Sequence, residues 1–382
     1  MAPHEFSYLW AMFLQHLSLV NFKNYGELEV ELSAKINCFT GNNGVGKTNI
    51  LDAIYYLSFC KSFLSNNDAV NIKHGDALFV VEGRYQVNDS QELIYCGFET
   101  GKRKRFKRNK KEYDKLADHI GLIPLVMISP YDINLITGGS DERRKFIDGI
   151  ISQFDREYLF DLQRYNRVLS QRNFLLKQYG KTGYIDDSVL DIYDEELVET
   201  GQRIHMKRQD FVSRMKPVFQ QYFTHISKGR ETVSLIYNSG LSNQNFREQL
   251  QNSRDKDKQA RFSTVGIHKD DLDFMLGDFA MRRLGSQGQQ KSYLVALKLA
   301  QFEFIYQQCG FKPLLLLDDV FDKLDSDRVA QIIKLVAQNN FGQIFITDTN
   351  PQRIHQVLSQ IDGEYYHYHV SPNQLERVYE TI

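Results

Sequence analysis

Gly41-Asn42-Asn43-Gly44-Val45-Gly46-Lys47-Thr48 fits the complete pattern G-x-x-x-x-G-K-[ST]. The flanking residues supply the context that this pattern needs. Lys35 to Thr40 predicts a short strand, and Asn49 to Leu57 predicts a helix with Ile50, Leu51, Ile54 and Tyr55 on one face. Glycines let backbone N–H groups turn inward around phosphate oxygens. The helix N-terminus adds partial positive charge. In such a loop Lys47 reaches the β- and γ-phosphates of a nucleoside triphosphate and Thr48 ligates Mg²⁺. The candidate nucleotide contacts are therefore Gly41, Asn42, Asn43, Gly44, Val45, Gly46, Lys47, Thr48 and Asn49. Gly180-Lys181-Thr182 spells the same tripeptide without the earlier glycine and follows a helical pattern, so it is expected to be a helix stop.

The second half of the site is predicted at Leu314 to Leu317, an apolar run that ends in Asp318 and Asp319. A continuous apolar run is the pattern of a parallel strand buried on both faces, with its C-terminal end at the ligand. Asp318 is the candidate Mg²⁺-side carboxylate. Asp319 is the candidate to polarise the attacking water, and Lys47, Asp318 and Asp319 form the candidate catalytic set. The two motifs are much further apart than a single small nucleotide-binding domain requires, so a large insertion is expected between them.

Composition bounds the rest. A chain of 382 residues that is 42% hydrophobic and 13% aromatic can build two or three sizeable lobes. The net charge of −1 excludes a general polycation, so any nucleic-acid surface must be local. Cys38, Cys60, Cys96 and Cys309 form no C-x-x-C pair, which argues against zinc and a disulfide framework and suits a reducing cytosol. No apolar run approaches the ~20 residues of a membrane span.

Along the chain, residues 1–11 are weakly patterned and lack the features of a secretory signal. They are expected to be an N-terminal extension, with Met12 a candidate functional start. Residues 12–125 are expected to form the first half of an ATPase lobe. It opens with a hairpin over Phe13 to Leu32 that shields the base side of the nucleotide, and has two further strands around Val87 to Ser90. Lys102, Arg103, Lys104, Arg105, Lys107, Arg108, Lys110 and Lys111 crowd one ten-residue stretch, and phosphate backbone is the polyanion that would neutralise them. Phe106 within it could stack on a base or pack inward. Asn109-Lys110-Lys111-Glu112 departs from the guanine-reading N-K-x-D pattern, which favours adenine. Residues 126–262 are expected to be an inserted, mainly helical lobe. One helical pattern runs from Ile147 to Leu169 and a second from Ser188 to Ser227, joined as an antiparallel pair, and no sustained heptads predict a long coiled coil. Residues 263–382 are expected to complete the ATPase core.

In that last third, Ser286-Gln287-Gly288-Gln289 precedes a strong helix. A serine hydroxyl, a glycine N–H and a helix N-terminus make a second anion cradle. The stretch resembles the S-G-G-Q signature of ABC-type ATPases, in which this cradle caps the γ-phosphate held by another subunit. Asp325, in Phe321 to Asp325, matches the aspartate of their D-loop. Taken with Asn21-Phe22-Lys23-Asn24-Tyr25, Ser129-Pro130-Tyr131-Asp132, Glu142 to Asp148, Gln171-Arg172-Asn173 and Gly266 to Asp271, the chain from Met12 onward resembles the RecF family of bacterial recombination and repair ATPases, related to SMC and Rad50 heads.

The resemblance implies an α/β, ABC-type P-loop ATPase, SMC/Rad50 head-like, with an inserted helical lobe and no long coiled coil. It implies ATP and Mg²⁺ as cofactors, with Ser286, Gln287, Gly288, Gln289 and Asp325 added to the nucleotide contacts. It implies an ATP-dependent homodimer that binds single-stranded or double-stranded DNA at gaps or ends. It also implies help to RecR, with RecO, in loading recombinase onto strands coated by single-strand-binding protein, in the cytoplasm at the nucleoid. One departure stands out. After Gln343 to Ile346, the switch histidine of ABC ATPases is replaced by Thr347-Asp348-Thr349, which leaves either a polar γ-phosphate sensor or a structural turn and suits slow hydrolysis. The alternatives are an SMC-like ATPase with another DNA-associated role and a transporter ATPase subunit, which would need a membrane partner.

Overall fold

The computed structural model describes residues 12–242, 245–321, 326–337, 341–359, 364–372 and 374–378. Its elements in chain order are β1 (Met12–Phe22), β2 (Tyr25–Glu31), β3 (Ile36–Thr40), α1 (Lys47–Phe59), β4 (Leu78–Val87), β5 (Ser90–Glu99), β6 (Arg105–Arg108), β7 (Lys111–Glu112) and β8 (Leu125–Ile128). Then come α2 (Asn134–Thr137), α3 (Ser140–Ile151), α4 (Arg156–Thr182), α5 (Asp187–Ser227), β9 (Val233–Asn238), α6 (Phe246–Ala260), β10 (Asp271–Leu276), β11 (Phe279–Ala280) and α7 (Met281–Leu284). The chain closes with α8 (Gln287–Cys309), β12 (Leu314–Asp318), α9 (Ser326–Ala337), β13 (Ile344–Asp348), α10 (Pro351–Leu358), β14 (Tyr365–Ser371) and β15 (Gln374–Val378). It divides into two compact units, one from residues up to Asp132 and from Lys291 onward, the other from Ile133 to Gln290.

The first unit holds two sheets. One is antiparallel, in the order β2-β1-β4-β5-β6-β7. The other runs β15-β14-β3-β13-β12-β8, with β15 antiparallel and the other five parallel. β3, β8, β12 and β13 are buried at every residue, as expected of parallel strands covered on both faces. α1 packs against strands of both sheets. Ile50, Leu51, Ala53, Ile54 and Leu57 share one core with Leu17, Leu19 and Val81 on one side and with Leu125, Leu316 and Phe345 on the other. The sequence predicted one apolar face for this helix. The structure buries nearly its whole circumference and leaves Tyr55 half-buried, because the helix lies between two sheets. The predicted hairpin forms, and a bulge between Leu14 and His16 on β1 shifts its register against β4. That is why the buried alternation changes phase along β1.

The second unit joins helices to the three-stranded sheet β11-β10-β9. α4 and α5 are antiparallel. Arg172 meets Asp194, Arg164 meets Glu196, Arg203 meets Asp161 and Lys207 meets Asp155, so residues later in α5 pair with residues earlier in the α4 region. The helical pattern from Ile147 to Leu169 is interrupted between α3 and α4, where Asp155 caps α4 by accepting a hydrogen bond from the Tyr158 N–H at 2.9 Å. Gly183 ends α4 in a left-handed conformation just past Gly180-Lys181-Thr182, the stop expected there.

The division differs from the expected boundaries at 126 and 263. β10 pairs with β9 along six residues, so the stretch from 263 to the signature motif packs in the inserted unit. Three stretches that carried the family resemblance are ties within it. Arg143 pairs with Asp271 at 2.6 Å, Arg208 with Asp148 at 2.9 Å and with Asp270 at 3.0 Å, and Asn173 accepts from the Ser263 N–H at 2.7 Å. Among the described residues no helix is long and apolar enough to cross a membrane.

Candidate nucleotide site

The glycine-rich loop leaves the C-terminal end of β3 and enters α1. A side chain at Gly41 would put its Cβ 2.2 Å from the Val370 carbonyl oxygen, so only glycine lets the loop pass β14. Gly46, the residue before α1, has φ of 117°, and a Cβ there would lie 2.5 Å from the Asn24 side chain. Asn24 fills that space for a reason. Its amide donates to the Val45 carbonyl at 3.1 Å and its oxygen accepts from Asn49 at 2.7 Å. The turn between β1 and β2 thus clamps the loop and the first turn of α1 together. Beside it, Lys23 pairs with the buried Asp52 at 2.5 Å. The sequence marked Asn24 as part of a motif but gave it no role.

Lys47 is 5% exposed and donates to the carbonyls of Gly41 at 2.8 Å and Asn42 at 2.9 Å. Burial pushes its pKa down, and the carboxylates of Asp319, Asp318 and Asp348 oppose that shift without cancelling it. A cation held this way, beside inward-turned glycine backbone and a helix N-terminus, is suited to an anion of high charge. Thr48 donates its hydroxyl to both carboxylate oxygens of Asp318, at 3.0 and 3.1 Å, across 270 residues of sequence. Hydroxyl and carboxylate oxygens side by side are the hard donors that Mg²⁺ prefers, so the residues fit that ion. Burial raises the Asp318 pKa, against hydrogen bonds from Thr347 and Thr48.

The strand between the two motifs completes this corner. β13 lies between β3 and β12, and its Thr347 donates to Asp318 at 2.7 Å. Thr347 also accepts from the Asp319 N–H at 3.1 Å, and Asp319 has φ of 44°. Asp348 is buried and turned to the start of α10, accepting from the Asn350 N–H at 2.7 Å and pairing with Arg353 at 3.1 Å. Of the alternatives left open for Asp348, this geometry is the structural turn. Asp132 at the end of Ser129-Pro130-Tyr131-Asp132 is also buried and pairs with Lys298 at 2.8 Å.

The structure therefore brings Gly41 to Asn49 together with Asp318 and Asp319. Ser286, Gln287, Gly288 and Gln289 belong to the other unit, where they open α8 as a reciprocal capping box. The Ser286 hydroxyl accepts from the Gln289 N–H at 3.3 Å, and the Gln289 side chain accepts from the Ser286 N–H at 2.7 Å. Ser286 is exposed, while the Gln289 amide donates to Glu231 at 2.8 Å. Asp325 lies outside the described residues.

The basic run is less uniform than its sequence suggests. It folds into the β6–β7 hairpin with Asn109 and Lys110 at the turn. Phe106 is 1% exposed, so it packs in the core rather than offering a stacking face. Lys104 points inward, meeting Asp68 at 2.8 Å and the Cys60 carbonyl at 2.7 Å. Arg108 is held by Glu92 at 2.7 Å and Lys107 lies over the Tyr95 ring. Lys102, Arg103, Arg105, Lys110 and Lys111 remain exposed, with Lys102 paired to Glu99 and Arg103 bonded to the Asp114 carbonyl.

Comparison with known proteins identifies the family and the fold. The sequence model of the RecF/RecN/SMC N-terminal domain matches residues 13–368. The DNA replication and repair protein RecF of Bacteroides fragilis strain YCH46 is 50% identical over 370 residues, covering 97% of this chain and 99% of that protein. The protein of the same name from Flavobacterium johnsoniae is 47% identical, covering 93% and 99%. The structure of the recombination mediator RecF with ATP, in the RecFOR pathway, superposes with a TM-score of 0.88 at 30% identity, covering 98% of this chain and all of that one. The Smc head domain of Pyrococcus furiosus, at 16% identity and a TM-score of 0.57 over 96% of each chain, shares the fold.

Proposed function

Because this chain belongs to the RecF family of DNA replication and repair proteins, with the α/β ABC-type head fold, we propose that it is a slow ATPase whose nucleotide-bound dimer holds DNA at gaps or ends. In this reading it acts as a recombination mediator with RecR and RecO, loading recombinase onto single strands coated by single-strand-binding protein, in the cytoplasm at the nucleoid. The observation that carries the reading is the meeting of Thr48 and Asp318, which turns two distant motifs into one site. A relative solved with ATP supports the choice of nucleotide.

The residues divide the work. Lys47 leaves the Gly41 and Asn42 carbonyls to hold the β- and γ-phosphates, and the glycine-rich backbone cradles them. Thr48 and Asp318 hold Mg²⁺, which when bound supplies charge neutralisation at the phosphates. Asp319 orients a water for attack and takes its proton. Asn24 fixes the loop in which Lys47 sits. The exposed Ser286 offers its helix N-terminus to the γ-phosphate held by a second copy, so hydrolysis there removes the bridge between two heads. The exposed lysines and arginines of the β6–β7 hairpin face DNA phosphates without reading sequence.

Sizing in solution with Mg²⁺, comparing no nucleotide, ATP and ADP, tests this. Dimerisation with ATP alone, lost in Ser286→Arg, is the expected result. A protein that stays monomeric with ATP overturns the two-headed clamp. Normal dimerisation and normal turnover by Lys47→Arg would overturn the assignment of the phosphate site.

A further inference from the structure

The position expected to carry a switch residue holds a threonine that is turned away from solvent. Thr347 is 0% exposed. β13 runs parallel to β12 with Thr347 in register with Asp318, and its hydroxyl reaches the Asp318 carboxylate at 2.7 Å. The same oxygen accepts from the Asp319 N–H at 3.1 Å. A hydroxyl has one proton to give and lone pairs to accept with, and here both capacities are used within the site. Asp319 sits in the left-handed region, where a non-glycine residue needs its surroundings to hold it.

We infer that Thr347 is a positioning residue, which fixes the Asp318 carboxylate for the divalent cation and the Asp319 backbone beside it without itself touching the nucleotide. This rests on the nucleotide reading given above. Asp348, the neighbouring candidate, is committed to Asn350 and Arg353 at the start of α10. Thr347 is thus the residue of this strand that is hydrogen-bonded to Asp318 and Asp319, and it acts through them. Valine has nearly the shape of threonine but lacks the hydroxyl, so it would leave Thr48 as the remaining hydroxyl on the carboxylate and the Asp319 N–H without this partner. Serine would restore both bonds.

The test is direct ATP binding to the full chain by calorimetry, titrated across Mg²⁺ and repeated with Mg²⁺ chelated, for wild type, Thr347→Val and Thr347→Ser, with melting temperatures alongside. In Thr347→Val, the Mg²⁺ needed for half-maximal ATP binding should rise about tenfold or more, the usual cost of removing a group that orients a metal ligand. Mg²⁺-free ATP binding should be unchanged, and Thr347→Ser should match wild type. An unchanged Mg²⁺ requirement in Thr347→Val overturns the inference, as does an equal loss with and without Mg²⁺, which would mark a general structural role. Thr347→Ala carries the same comparison if the valine protein does not fold. A wild type that binds no ATP in either condition overturns the nucleotide reading itself, an outcome distinct from a wild type that binds and a valine variant that matches it.

Discussion

The hydroxyl of Thr48 meets both carboxylate oxygens of Asp318, at 3.0 and 3.1 Å, although 270 residues separate them. Thr48 lies in the first turn of α1 and Asp318 ends β12, two strands away from the strand that feeds the loop. The candidate metal corner therefore exists only when the parallel sheet has formed. Asp318→Asn keeps an acceptor for Thr48 and Thr347 but removes the charge. It should fold normally and lose ATP hydrolysis by about 10²-fold or more, on the scale of losing a key electrostatic group. Phosphate-release assays with a melting curve check both halves.

Asn24 and Gly46 form the second relationship to test. Asn24→Ala removes bonds to Val45 and Asn49, and should cost about 1–2 kcal/mol of stability while weakening ATP binding. Gly46→Ala should be worse, because a Cβ would collide with Asn24 on a backbone with φ of 117°. Combining Gly46→Ala with Asn24→Gly should recover only the part of the clash that Asn24 causes, since the new Cβ would still lie 2.8 Å from the Tyr25 hydroxyl. Denaturant unfolding and nucleotide titration separate the two contributions.

The basic hairpin should split into two classes of residue. Lys104→Ala breaks a largely buried ion pair with Asp68 and should destabilise the protein by about 1.5–3 kcal/mol, the range for hydrogen bonds to charged groups. Arg105→Ala, Lys110→Ala and Lys111→Ala together should leave the melting temperature unchanged. If these three meet phosphates, the slope of log affinity for duplex DNA against log salt should shrink by about 0.9 for each phosphate no longer neutralised. Salt-dependent DNA binding of the triple variant decides this.

Two histidines predict acid sensitivity. His119 is 0% exposed, its Nε2 meets the Leu57 carbonyl at 2.7 Å and its Nδ1 meets the Tyr113 hydroxyl at 3.1 Å. Burial lowers its pKa from 6.5 to about 4. His268, between Tyr165 and the Ser263 carbonyl, is lowered to about 4 for the same reason. Between those values the unfolded chain binds protons that the folded chain refuses. Stability from these groups is therefore full above about pH 6.5, falls as pH drops toward about 4, and levels off below that. The loss from His119 should be roughly 3–4 kcal/mol, from about 1.4 kcal/mol per pKa unit. His119→Gln should flatten this part of the stability–pH curve, which denaturant melts from pH 4 to 8 would show.

Much of this molecule was legible from local pattern. Gly41 to Thr48 and Leu314 to Asp319 announced the loop and the strand, because each is a short run whose spacing is set by backbone geometry. The β1–β2 hairpin, the β4–β5 pair and the two long helices were legible for the same reason. The basic run was legible only in part. Of the two readings open for Phe106, alternation along β6 selects packing inward, and the hairpin turns Lys104 toward Asp68, which charge counting does not detect.

The sequence by itself determined the family and most of the elements and pointed to a class of ligand, since these depend on residues close together in the chain. Only the tertiary structure decided which distant residues share a site and which unit owns a segment. The register of β13 against β12 puts Thr347 on Asp318, and the turn after β1 puts Asn24 over Gly46. The pairing of β10 with β9 places the segment leading to Ser286 in the inserted unit. The first and third follow from hydrogen-bonded register between strands, where a one-residue slip would turn the side chains to the opposite face, and the second from side-chain bonds between a turn and a loop.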